Sequence, residues 1–194
     1  MHLTVSKGNT KLGAVPNISL TPGESCVDDV PCLTEGCYAM KSYRMYPNVR
    51  AAWDGNLRLW KDSPGLFFDG VDQYLLTNKP DRFRWHVGGD IPDEDYFEMM
   101  VDIAWNFRQT SFLCFTKKYN LVEYGRKKNL HIVLSAWPGM DFPVNSGFPE
   151  AWLATDPRAP LDKVHIRCPG NCGDCQYKCW YALTDGVNVI FDKH

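Results

Sequence analysis

Apolar and polar positions follow two rhythms along this chain, and the switches between them predict its elements. Phe83-Arg84-Trp85-His86-Val87 has the short aromatic and β-branched pattern of a strand and ends on Gly88-Gly89-Asp90. Residues 92–107 then place apolar side chains at helical spacing, with Asp93, Glu94 and Asp95 in the first turn, where the helix dipole favours acids. Residues 112–115 form a second strand, followed by Thr116-Lys117-Lys118 and a helix to Lys128. A third strand over 131–134 ends on Ser135-Ala136-Trp137. Upstream, residues 38–61 read as helix broken near Pro47, and a further helix follows Pro64, whose fixed φ suits a first turn. Residues 1–37 are turn-rich, with extended pieces at Leu3-Thr4-Val5 and Ile18-Ser19-Leu20. Beyond Pro138 the chain is loop-rich until a strand-like run at 187–191.

Strand alternating with helix implies an α/β fold with a parallel sheet of right-handed βαβ units. A full eight-unit barrel takes about 250 residues, more than the 194 of this chain. The expectation is therefore an open or partial parallel (β/α) barrel with cysteine-rich loops near both ends. No repeat or linker divides it, so residues 1–194 read as one domain: a first cysteine loop at 20–40, a βα core at 40–137 and a cysteine-rich segment at 160–182. Ligands of such sheets bind beyond the carboxyl ends of the strands. Gly88-Gly89-Asp90, Thr116-Lys117 and Ser135-Ala136-Trp137 should share that rim with the first cysteine loop.

Composition narrows the function classes. A net charge of −2 with dispersed basic residues gives no broad basic face for nucleic acid. Arg126-Lys127-Lys128 reads as the solvated end of a helix. The start MHLTVSKGNTK lacks the apolar core of a signal peptide, and no apolar run approaches a membrane span. The expectation is a cytoplasmic protein. In a reducing compartment grouped cysteines bind metal more often than they form disulfides.

Seven of the eight cysteines are grouped. Cys26, Cys32 and Cys37 follow Cys-x5-Cys-x4-Cys, with no C-x2-C knuckle and no histidine close by in sequence. Three thiolates can hold three irons of a [4Fe–4S] cluster and leave the fourth iron open; zinc completed by a distant ligand is the alternative. Cys168, Cys172, Cys175 and Cys179 provide four thiolates, enough to close a cluster or a zinc site. A third arrangement is one cluster held by the first loop and capped by a C-terminal cysteine. Cys114, in the apolar run SFLCFT, reads as a buried core thiol.

The stretch LTPGESC with Cys32, Cys37-Tyr38-Ala39, then FRWHVGGD and FLCFTKKY resembles a little-characterised family of bacteriophage proteins with a radical S-adenosylmethionine-like partial barrel. The resemblance implies that Cys26, Cys32 and Cys37 ligate a [4Fe–4S] cluster whose open iron chelates S-adenosylmethionine. It also implies that Gly88, Gly89 and Asp90 match the turn that receives the methionine amino group. Two features depart from the wider superfamily: its usual cysteine spacing is Cys-x3-Cys-x2-Cys, and its usual acid is Glu. Cys168-x3-Cys172-x2-Cys175 has that spacing, but too little chain follows it to build a barrel.

The implied cofactors are one or two [4Fe–4S] clusters and S-adenosylmethionine, with zinc as the alternative. The implied partners are an electron donor or a host protein. If the protein is an enzyme, it is of the radical S-adenosylmethionine type; the rival readings are an electron relay, a host-interaction protein and a zinc-stapled interaction domain. Among lesser candidates, His86 reads as a core histidine or a rim residue. Lys117 and Lys118 are placed to pair with a carboxylate or phosphate, or to begin a solvated helix. Trp137 is a packing residue or a floor for an adenine.

Overall fold

A computed structural model describes residues 2–121, 128–143, 146–161, 164–173, 175, 179–182 and 187–192. Strand β1 (Asn17–Ile18) leads into the first cysteine loop, which contains α1 (Cys32–Glu35). Then come α2 (Tyr38–Met45), α3 (Pro47–Asp62), α4 (Pro64–Asn78), β2 (Arg82–Trp85), α5 (Glu94–Asn106), β3 (Ser111–Thr116) and β4 (Leu130–Ser135). The remaining elements are β5 (Glu150–Leu153), β6 (His165–Arg167), α6 (Cys179–Ala182) and β7 (Asn188–Phe191).

Proline and caps set the helix boundaries. Pro47 lacks an N–H and restricts the residue before it, so Tyr46 turns extended, α2 stops and α3 starts afresh on the proline. Asp93 caps α5 by accepting the Tyr96 N–H at 2.9 Å, which moves the start of that helix two residues past Pro92. The helix expected between Lys118 and Lys128 lies largely outside the described residues, as does most of the Arg126-Lys127-Lys128 run; residues 119–121 form a turn.

All seven strands pair in parallel in the order β1-β2-β3-β4-β5-β7-β6. The α/β class and the parallel sheet agree with the sequence reading. Three strand expectations need correction. Leu3-Thr4-Val5 is not a strand: the Thr4 backbone is satisfied by the Asn56 side chain of α3, at 2.8 Å through its N–H and 2.9 Å through its carbonyl. The ladder of β1 stops at Ile18 because the Ser19 hydroxyl accepts the Val87 and Gly88 N–H groups instead. β2 stops at Trp85, because His86 turns to φ 54, outside any strand. β5 and β6 were not anticipated. They are three or four residues long; β5 is held between β4 and β7, and β6 pairs with β7.

Register assigns the two faces of the sheet. Phe83 lies beside Phe112, and Trp85, Cys114 and Ile132 form a row. These residues pack on α3, α4 and α5 through Trp60, Phe67, Val71 and Met100. Cys114 is fully buried there, as expected of a core thiol. The alternate positions carry Arg84, Leu113, Val133, Ala151 and Val189 onto the opposite face. That face is covered by Leu12, Val15 and Trp180, and by Cys168, Cys172 and Cys179. The C-terminal cysteine segment therefore packs on the side away from α3, α4 and α5. Among the described residues no helix is long and apolar enough to cross a membrane.

Candidate metal and cofactor site

Parallel strands bring their carboxyl ends to one edge, and the residues after β1, β2, β3 and β4 meet there. Gly88-Gly89-Asp90 fastens the loops together. A side chain on Gly88 would overlap the Trp53 ring, and one on Gly89 would lie 2.5 Å from the Ser25 hydroxyl and 2.7 Å from the Leu20 carbonyl. Gly89 also sits at φ 78, where a side chain is strained. The two glycines thus let the strand end lie directly against α3 and the start of the cysteine loop.

Asp90 is buried beneath this edge. One carboxylate oxygen accepts the Thr116 hydroxyl at 2.6 Å and its own neighbour's N–H, from Ile91, at 2.8 Å. The other accepts the Lys117 N–H at 2.8 Å. The Asp90 N–H in turn donates to the Ser25 hydroxyl at 3.1 Å. Burial pushes the Asp90 carboxyl up, while the hydrogen bonds from Thr116, Lys117 and Ile91 oppose that rise.

The cysteine loop is ordered by its own sulfurs. Cys26 Sγ accepts the Gly23 N–H at 3.3 Å, and Cys37 Sγ caps α2 by accepting the Met40 N–H at 3.5 Å. Interaction with the neighbouring Cys32 thiol, with help from the Met40 and Ala39 N–H groups, lowers the Cys37 thiol to about 6 against the effect of burial. Interaction with Cys37, followed by burial, pushes Cys32 up. Burial raises Cys26 as well, opposed by the Gly23 N–H and the charge of Lys117.

Lys117 brings a cation to this edge. Its Nζ donates to the Ser135 hydroxyl at 3.0 Å and lies 6.0 Å from the Trp137 ring centre, and its charge acts on all three loop thiols. Trp137 Nε1 donates to Glu35 at 3.1 Å, tying the end of β4 to the loop. Lys118 turns away and donates to the Pro92 carbonyl at 3.3 Å. His86 belongs to the core: its Nε2 is 3.1 Å from the Tyr96 hydroxyl, and its Nδ1 faces Cys114 at 3.8 Å.

Of the C-terminal cysteines, Cys168 follows the carboxyl end of β6 and Cys179 opens α6. Cys168, Cys172 and Cys179 share one apolar cluster, Cys175 is buried, and burial raises Cys168, Cys172 and Cys179, the last to about 12. Arg84 opposes that rise in all three. Tyr38 was missed as a site residue in the sequence. Its hydroxyl donates to the Val87 carbonyl at 2.7 Å, tying the start of α2, next to Cys37, to the turn after β2. Arg82 and Arg84 were also missed. Their signal was two cations at period two in a strand whose intervening residues are buried aromatics.

All eight cysteines are free. Among the described residues no three His, Cys, Asp or Glu side chains come close enough to hold a single metal ion. The donor chemistry of the first loop still fits an iron–sulfur cluster: three thiols, one lowered toward its anion, beside a lysine, on a loop held by backbone N–H donors to sulfur. A cluster gives each thiolate its own iron, so its sulfurs need not crowd around one ion as they do around zinc, with Zn–S about 2.3 Å.

No curated protein and no solved structure matches the chain. A family model does match, over residues 3–140. That stretch contains the three-cysteine loop and Gly88-Gly89-Asp90 and stops short of Cys168. The chain belongs to the Gene product 88 family, a phage-type family.

Proposed function

We propose that this is an iron–sulfur protein with a radical S-adenosylmethionine-like partial barrel, in which Cys26, Cys32 and Cys37 hold three irons of a [4Fe–4S] cluster and leave the fourth to S-adenosylmethionine. The observation that carries this reading is the set of hydrogen bonds that ties the three-cysteine loop to the carboxyl-end edge of a parallel sheet: Ser25 to Asp90, Asp90 to Lys117, and Glu35 to Trp137. That edge is where such sheets take their ligands.

When bound, such a cluster supplies one electron for reductive cleavage of S-adenosylmethionine. The chain's own residues bind and orient. Lys117, steadied by Ser135, pairs with the methionine carboxylate. Gly88 and Gly89 let the turn pack closely on Trp53, Ser25 and Leu20, which fixes its position beside the cysteine loop. Asp90 serves by holding the Lys117 N–H and the Ser25 hydroxyl in place, since both its oxygens are engaged. Trp137 offers a ring beside Lys117 for an adenine.

The engagement of Asp90 also favours a second reading, a non-catalytic iron–sulfur module for electron relay or host interaction, because no free carboxylate is left at the turn for an ammonium group. The test is anaerobic purification with iron and acid-labile sulfide analysis, then electron paramagnetic resonance of the reduced protein with and without S-adenosylmethionine. A spectrum that shifts, with 5′-deoxyadenosine formed under reduction, supports the enzyme. A spectrum indifferent to S-adenosylmethionine supports the relay, and zinc without sulfide leaves a metal-stapled interaction domain.

A further inference from the structure

The C-terminal cysteines lie outside the stretch that matches the family, and their surroundings differ from those of the rim. The segment is fastened on both sides: the Cys168 N–H donates to the Ile190 carbonyl of β7 at 2.8 Å, and the Cys172 N–H to the Lys11 carbonyl at 2.6 Å. Cys168 Sγ accepts the Gly170 N–H at 3.4 Å. Cys179 opens α6, whose Trp180 is buried and donates from Nε1 to the Phe83 carbonyl at 3.1 Å. This segment is anchored to the sheet through its backbone and Trp180, leaving its sulfurs available as ligands.

Two guanidinium groups from β2 share that face. Arg84 lies 4.5 Å over the Phe115 ring, and its charge reaches Cys168, Cys172 and Cys179. Arg82 stacks 5.4 Å over Trp180 and reaches Cys172. Arg82 Nη1 is buried and finds no hydrogen-bond acceptor among the described residues. A buried charged donor left without an acceptor is costly, and an anion beside the four thiols would satisfy it.

The unsatisfied Arg82 donor bears on which anion. A tetrahedral zinc offers only its four thiolates, each drawn onto one metal at about 2.3 Å. A cubane spreads four thiolates over four irons, and its sulfides are acceptors for N–H donors. We propose that Cys168, Cys172, Cys175 and Cys179 hold a closed [4Fe–4S] cluster on the sheet face opposite α3, α4 and α5, with Arg82 and Arg84 compensating its negative charge. This site does not depend on what the first loop binds.

The test uses the full chain carrying Cys26→Ser, Cys32→Ser and Cys37→Ser, purified anaerobically and reconstituted with ferrous iron and sulfide. The expected result is about four irons and four labile sulfides per folded chain, lost when Cys172→Ser is added. Arg84→Gln in the same background should keep the iron and lower the reduction potential, because a positive charge near the cluster stabilises its more negative reduced form; Arg84→Lys should restore most of the shift. Zinc without sulfide overturns the proposal, as does a folded first-loop variant, checked by circular dichroism, that holds no iron. Should Cys172→Ser fail to fold, comparison of the unmutated chain with the first-loop variant still decides: retained iron supports the second site, and complete loss overturns it. An Arg84→Gln potential equal to that of its parent removes the arginines from the proposal.

Discussion

The carboxylate of Asp90 accepts the backbone N–H of Lys117 at 2.8 Å, joining the turn after β2 to the end of β3. Through that bond a buried acid fixes the direction in which a cation leaves the sheet. Thr116, one residue earlier, doubles the tie through its hydroxyl. The edge is thus braced from below before any ligand arrives.

Lys117→Gln should leave the iron and sulfide content unchanged while weakening S-adenosylmethionine binding. A charge-assisted pair is worth about 1.5–3 kcal/mol, roughly ten- to a hundredfold in Kd. Titration of the reduced protein with S-adenosylmethionine, followed by electron paramagnetic resonance, reads the change. Equal affinity in the two proteins would remove Lys117 from the ligand site.

Gly89→Ala should destabilise the protein by about 2–4 kcal/mol. The added methyl meets the Ser25 hydroxyl and Leu20 carbonyl in a left-handed backbone conformation. Urea denaturation measures it, and a loss below about 0.5 kcal/mol would show that the turn has room to relax.

Stability should fall on mild acidification because of His86. Burial, aided by the charge of Arg84, lowers this histidine to about 3, against about 6.5 in the unfolded chain. Between those values the unfolded state binds the extra proton, so stability is full above pH 6.5 and declines as the pH falls toward 3. At pH 5 the loss is about 2 kcal/mol from this group. Urea midpoints at pH 7 and pH 5, compared with His86→Gln, isolate it: the variant should show a shallower pH dependence.

Trp180→Ala should cost about 3–5 kcal/mol, the usual range for emptying a buried tryptophan site. Trp180 is 1% exposed and seals the apolar cluster that carries Cys168, Cys172 and Cys179. Thermal unfolding of the metal-free protein should show the drop, with C-terminal metal binding weakened in parallel.

The βα core was legible because its signals are local. Pro47 and Pro64 mark helix boundaries, the acids at 93–95 mark the start of another helix, and the β2, β3 and β4 runs are apolar enough to announce themselves. β5 and β6 were not legible. Trp152 pairs with Ile190, and Ile166 with Val189, so their strand character comes from partners distant in sequence.

The site divides in the same way. The sequence by itself determined the donors: which cysteines group, that a Gly-Gly-Asp turn ends a strand, and that Lys117 follows another. Those are matters of residue type and short spacing. Only the tertiary structure decided how they are used. Asp90 spends both oxygens on the ends of β2 and β3, Arg84 lies over the Phe115 ring on the face that carries the C-terminal thiols, and the Tyr38 hydroxyl reaches the Val87 carbonyl nearly fifty residues on. The reason is geometric: parallel strands gather their carboxyl ends at one edge, and strand alternation chooses which side chain faces which layer.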